Sequence, residues 1–151
     1  MQPFQYKAIV NRVVDGDTVD VDIDLGFYIW KKDARIRLKF VDTPEKRTKD
    51  LLEKEFGLLA TATVEELCPV GSEIMLETDL SDNDKFGRIL GILLVGPERL
   101  NLNQHLLDEH LAVNYTGQSK EEIAEEHINN YRWLVYNGKI VLSEGLTLPS
   151  I

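Results

Sequence analysis

The chain holds a single cysteine in 151 residues, so no intrachain disulfide can form and no thiolate cluster can hold zinc. Long apolar runs are missing too, with nothing near the roughly 18 consecutive apolar residues of a membrane helix. A spanning protein is excluded and no membrane partner is expected. The opening residues, Met1-Gln2-Pro3-Phe4-Gln5-Tyr6-Lys7, lack the charged-then-apolar layout of a secretion signal. With Cys68 alone, the expected setting is reduced and intracellular, cytoplasmic or otherwise inside the cell. No repeat, low-complexity stretch or linker divides the sequence, and its length suits one folding unit of about 100–200 residues. Residues 1–151 therefore read as a single domain, within which 118–151 form a C-terminal helical segment of open role.

Positive charge is also scarce: 17 Lys and Arg face 26 Asp and Glu, a net charge of −9. That balance argues mildly against contact with nucleic acid, which needs local positive charge. Its distribution reverses part of the argument. Between residues 31 and 54 stand nine basic side chains (Lys31, Lys32, Arg35, Arg37, Lys39, Lys46, Arg47, Lys49, Lys54) against five acidic ones. On charge alone such a run is a solvated face.

Periodicity places three strands in the first forty residues. Lys7–Val14 is β-branched and ends at the turn signal Asp15-Gly16-Asp17. Val19, Val21, Ile23 and Leu25 alternate with Asp20, Asp22 and Asp24; Ile36, Leu38 and Phe40 alternate with Arg35, Arg37 and Lys39. Thr43-Pro44 ends the third strand, because proline cannot donate to a ladder. From Asp50 the period changes, and Leu52, Phe56, Leu59, Thr63 and Leu67 trace a helix closing before Pro69. Glu73–Asp79 and Arg88–Val95 read as two more strands around a polar turn at 81–85, and Asn101–His110 as a short helix. Ser119 with Glu122 forms a capping box for a further helix reaching toward Tyr136. Five short strands with interspersed helices predict an α+β fold, a five-stranded OB-type Greek-key β-barrel with about three helices.

Three segments carry chemistry: Asp15-Gly16-Asp17-Thr18, Arg37 through Asp42-Thr43-Pro44-Glu45, and Lys85-Phe86-Gly87-Arg88. The first two each put a carboxylate at a strand end. Two carboxylates with backbone carbonyls and water make an oxygen-only site, suited to a hard cation such as Ca²⁺. Arg37 and Arg88 add two planar donors able to offset charge on a phosphate, and Glu45 adds an acid/base group. Any one segment alone is better explained as an ordinary turn or strand exit. Their combination and order are not ordinary.

Together these segments resemble the staphylococcal-type nucleases, or thermonucleases, and a looser match follows in Leu106-Leu107-Asp108-Glu109-His110-Leu111-Ala112-Val113. The resemblance spans roughly residues 7–116. It implies a Ca²⁺-dependent endonuclease that hydrolyses phosphodiesters of DNA or RNA, single strands favoured, and leaves 3′-phosphate ends. Asp17, Asp42 and the carbonyl of Thr43 would hold the metal. Glu45 would be general base, Arg37 and Arg88 would bind the scissile phosphate, and Asp15 would support the turn. Lys85, Phe86 and Tyr115 would contact substrate. Phe86 stands where the family often has Tyr, keeping a stacking surface without the hydroxyl.

Other features take plainer readings. Lys46, Arg47 and Lys49 either grip phosphates or form a solvated loop. Asp20, Asp22 and Asp24 form a solvated strand face, since position twelve of an EF-hand here would be Lys31. His105, His110 and His127 share no metal-ligand spacing and read as surface or helix-end histidines. Trp30 and Trp133 read as packing anchors, Cys68 as a small buried hydrophobe, and Glu121, Glu122, Glu125 and Glu126 as a solvated helix face. The alternative to an enzyme is a catalytically idle OB-type module that binds nucleic acid or protein.

Overall fold

A computed structural model describes residues 4–78 and 87–149. The chain runs β1 (Phe4–Asp15), β2 (Thr18–Asp24), β3 (Trp30–Leu38), β4 (Val41–Asp42), α1 (Leu51–Leu67), β5 (Glu73–Thr78), β6 (Ile89–Val95), β7 (Leu100–Asn101), α2 (Leu102–Asp108), β8 (Val113–Asn114) and α3 (Lys120–Tyr136). The sheet order is β3-β2-β1-β5-β6-β7, and β3 also pairs with β6. That last pairing closes β1, β2, β3, β5 and β6 into a five-stranded barrel. Every seam is antiparallel except the closing one, which is parallel through Ile36↔Ile89, Arg37↔Leu90 and Leu38↔Gly91.

Alternation explains the closure. Val10, Val19, Val21, Ile36, Leu38, Ile74, Leu76 and Leu93 all point into the barrel and are buried, because the period of two puts one side of each strand inward. Register shifts between Val10 and Arg12 and between Val13 and Asp15 mark irregularities in the β1–β2 ladder, and such bulges bend a strand as a small barrel requires. Helix α1 covers the barrel with Phe56, Ala60 and Val64. Tyr131 of α3 stacks on Phe56, ring centres 3.9 Å apart and 10° from parallel. Burying a ring of this size is worth about 1.5–3 kcal/mol, so this contact fastens α3 to the barrel.

The helix ends follow local chemistry. Asp50 caps α1 by accepting from the backbone N–H of Leu52 and Glu53. The Ser119–Glu122 capping box forms at α3 as its spacing predicts. Cys68 is buried at the end of α1, and burial pushes its thiol up to about 12, which makes it inert near neutrality. Inside α2, Asn103 accepts from Leu93 N–H and donates to the carbonyls of Lys39 and Gly91. One buried amide thus ties α2 to β6 and to the exit of β3.

Three expectations are corrected. Phe40 is not the last inward residue of β3: the strand ends at Leu38, and Phe40 turns outward with φ +68°. Trp30 is no packing anchor but stands exposed at a hairpin tip. His110 stands at the end of α2, as expected, and stacks there on Trp133 at 3.8 Å. Three two-residue strands, β4, β7 and β8, join the five expected. The polar turn at 81–85 lies outside the described residues. No described helix is long and apolar enough to cross a membrane.

Candidate active site

Asp17 sits where β1 hands over to β2. Its carboxylate is buried and accepts from Thr18 Oγ1 at 3.0 Å and from the Thr43 backbone N–H at 3.2 Å. Its own carbonyl accepts from Leu38 N–H at 2.8 Å. The turn before it can pack so closely because Gly16 has no side chain: a Cβ there would stand 2.8 Å from Ala60 Cβ and 3.0 Å from Thr43 Oγ1. Glycine in the Asp15-Gly16-Asp17 motif is therefore demanded by close approach.

Arg37, near the end of β3, reaches the same place. Its Nη1 donates to the carbonyls of Val41 at 2.7 Å and Leu38 at 3.0 Å. Its Nη2 lies 3.5 Å from Asp17 Oδ2 and 3.4 Å from Asp42 Oδ1. Two carboxylates from residues 25 positions apart thus converge on one guanidinium nitrogen. Asp42 is held on β4 by the pairing Asp42↔Val113 with β8.

Asp42 has a second partner. His127 of α3 places Nε2 2.8 Å from Asp42 Oδ2 and is only 8% exposed. It is not the surface or helix-end residue the sequence suggests. No spacing signal exists for a contact made 85 residues away. A buried-face position in register with Ile123, Tyr131 and Leu134 on α3 is the one clue that could have found it.

Glu45 follows Thr43-Pro44 at the rim. Its backbone N–H donates to Glu53 Oε2 of α1 at 2.9 Å. Gly57 of α1 lies so close that a Cβ would sit 2.5 Å from the Glu45 carbonyl carbon. Burial is the first cause that raises the Glu45 carboxyl above its ordinary value, followed by the charges of Asp17, Asp15, Asp42 and Glu53. Asp15 is raised likewise, first by burial and then by Asp17, while Arg47, Lys46 and Arg35 pull it down. Asp15, Asp17, Asp42, Glu45 and Glu53 thus lie within electrostatic reach of one another.

The remaining expected residues are placed as follows. Arg88 immediately precedes β6 and is half-buried, entering beside the strand that carries Arg37. Arg47 donates to the Val14 carbonyl at 3.4 Å, so the loop of Lys46, Arg47 and Lys49 leans toward the Asp15 turn. Tyr115 donates its backbone N–H to the Phe40 carbonyl at 2.8 Å, next to β4. Lys85 and Phe86 lie outside the described residues.

The donor chemistry fits a hard cation. Asp15 Oδ1 and Thr43 Oγ1 are buried oxygens without a hydrogen-bond partner among the described residues, beside a surplus of negative charge. Among the described residues no group of three or more His, Cys, Asp or Glu gathers into a metal-holding set. Any cation here rests on two carboxylates supplemented by backbone oxygen and water.

A closed five-stranded barrel with helices packed on it is a fold of the OB type. Comparison with known families agrees: the model of the staphylococcal nuclease homologue family matches residues 35–137, and the chain belongs to that family. It is 33% identical over 94 residues to a protein named Thermonuclease from Staphylococcus intermedius, covering 62% of this chain and 52% of that one. To Thermonuclease from Staphylococcus hyicus it is 32% identical over 127 residues, 80% and 69% of the two chains. To Endonuclease YhcR of Bacillus subtilis (strain 168) it is 30% identical over 117 residues, 74% of this chain and 9% of the other. The chain spans about half the length of the first of these relatives.

Proposed function

We propose that this protein is a Ca²⁺-dependent nuclease that hydrolyses phosphodiesters of DNA, RNA or both, with single strands favoured and 3′-phosphate ends left. The observation that carries this reading is the meeting of Asp17, Asp42 and Arg37 at one point, with Thr43 and Glu45 alongside. Asp17, Asp42 and the Thr43 carbonyl would hold the cation. Bound there, Ca²⁺ supplies charge neutralisation and polarises a phosphate oxygen.

The chain's own groups do the rest. Arg37 and Arg88 present guanidinium donors to the scissile phosphate and offset the charge that grows on it as water attacks. Glu45 accepts a proton from that water or orients it. His127 fixes one oxygen of Asp42, leaving the other to face the site. On this reading residues 1–151 work as one unit, to which α3 contributes His127. Lys46, Arg47, Lys49, Tyr115, Lys85 and Phe86 contact the flanking nucleotides.

The names of the relatives support the reading. The test is incubation of purified protein with single-stranded DNA or RNA, in Ca²⁺ or in EGTA, followed by end-group analysis. Cleavage that needs Ca²⁺ and leaves 3′-phosphates is expected. Tight binding without cleavage in either condition would replace the enzyme by an idle binding module.

A further inference from the structure

Both long helices open with an N-cap residue and a glutamate at the third helical position, the layout of a capping box. In α3 the box closes: Ser119 N–H donates to Glu122 Oε2 at 3.2 Å. In α1 the corresponding glutamate is turned elsewhere. Asp50 N–H donates to Thr48 Oγ1 at 3.1 Å, so Glu53 is not needed at its own helix end. Its Oε2 instead accepts from the Glu45 N–H, eight residues earlier, at 2.9 Å. A hydrogen bond to a carboxylate is roughly twice as strong as one between neutral groups. The bond is made although the Glu53 charge joins those that raise the Glu45 carboxyl.

A second feature of α1 serves the same segment. Gly57 interrupts the helix sequence Leu51–Leu67, and glycine inside a helix weakens it relative to alanine. The reason lies one turn along from Glu53, where the Glu45–Lys46 peptide rests against the helix. A Cβ on residue 57 would stand 2.5 Å from the Glu45 carbonyl carbon, 2.6 Å from its oxygen and 2.6 Å from the Lys46 nitrogen. Gly57 is a notch that admits this peptide and leaves no room for a side chain.

Glu45 needs such holding. It lies between β4 and α1, in no strand or helix, and a base must stand within hydrogen-bond reach of the proton it takes. Pro44 has no N–H to offer. The two N–H groups of Thr43-Pro44-Glu45 both go to carboxylates, that of Thr43 to Asp17 at 3.2 Å and that of Glu45 to Glu53. One bond ties the segment to the barrel and the other ties it to α1. We infer that Glu53 and Gly57 are positioning residues for Glu45: Glu53 clamps its N–H, Gly57 seats its carbonyl, and α1 thereby sets where the general base stands. The inference rests on the nuclease reading for the role of Glu45.

The test uses Glu53→Ala, Glu53→Gln and Gly57→Ala in the full chain, assayed on single-stranded oligothymidylate in Ca²⁺. A displacement of about 1 Å can lower a rate about 10²-fold. Glu53→Ala should therefore lower kcat by about 10–10²-fold while KM stays within about twofold. Glu53→Gln keeps an oxygen acceptor without the charge, and should recover kcat to within about threefold of the parent. Gly57→Ala displaces the Glu45–Lys46 peptide and should lower kcat about 10²-fold; if it fails to fold, the Glu53 pair decides. In EGTA, NMR exchange of the Glu45 amide should quicken about tenfold in Glu53→Ala and stay near the parent's in Glu53→Gln. Parental kcat or unchanged amide exchange in Glu53→Ala would overturn the inference. So would a Glu53→Gln variant as slow as Glu53→Ala, which assigns the effect to charge, or a loss carried by KM alone, which assigns it to substrate binding. A parent that cleaves nothing in Ca²⁺ would instead remove the nuclease reading, and the role of Glu45 with it.

Discussion

At the Thr18–Arg37 end of the β2–β3 hairpin, charged side chains are withdrawn from water and matched one against another; at the Asp24–Trp30 end, apolar side chains are left standing in water. The first end spends desolvation to place Asp17, Asp42 and Arg37 together. The second forgoes burial of Phe27 and Tyr28 and adds positive φ. Between them, Val19, Val21, Ile36 and Leu38 are fully buried and follow the strand period without exception. The middle of the hairpin is built for stability, and both ends depart from it in opposite senses. Function is therefore sought where the pattern breaks.

The contrast can be broken first at its polar end. Arg37→Ala strands two carboxylates in a poorly solvated place and should cost about 3–5 kcal/mol of stability, read as a lower urea midpoint with an unchanged slope. A midpoint equal to the parent's would mean the cluster is fully wet. Arg88→Ala should leave the fold intact yet lower kcat by about 10²–10³; a parental rate in single-turnover assays would remove Arg88 from the chemistry.

His127→Ala removes the partner of Asp42 and should cost about 1–3 kcal/mol, together with weaker Ca²⁺ binding by calorimetry. Unaltered Ca²⁺ affinity would make the contact purely structural. Asp15→Asn sharpens the comparison through pH. The Asp15 carboxyl is raised, so its proton is held more tightly in the folded state. Its favourable contribution is complete below the ordinary carboxylate range and disappears as pH rises through the folded value. The variant should therefore be more stable than the parent at pH 7 in EGTA, and the gain should vanish near pH 4. Equal gains at both pH values would reject the repulsion. Tyr28→Gly, at the apolar end, should be the mildest change, a gain of about 0.5 kcal/mol; a loss in thermal melts would show that the ring packs after all.

Much of this was legible in the sequence, and for identifiable reasons. Strand alternation marks Val19 to Leu25 and Arg35 to Leu38 because each residue's face depends only on its neighbours. The Ser119–Glu122 box is equally local. The order of three motifs, and the family resemblance it carries, pointed to Asp17, Asp42, Glu45 and Arg37 as the candidate cluster. What could not be read is tertiary. The parallel Ile36↔Ile89 seam, the β4–β8 pair that holds Asp42 and the His127 contact join distant segments that no periodicity relates. Trp30 misled because an exposed tryptophan and a packing one look alike in one dimension. Phe40 misled because the alternation runs two residues past the point where the chain turns.

The dependence of Asp42 on α3 also orders events in time. During synthesis the barrel strands emerge before the helix that bears His127, so Asp42 waits for its second partner until α3 has been made.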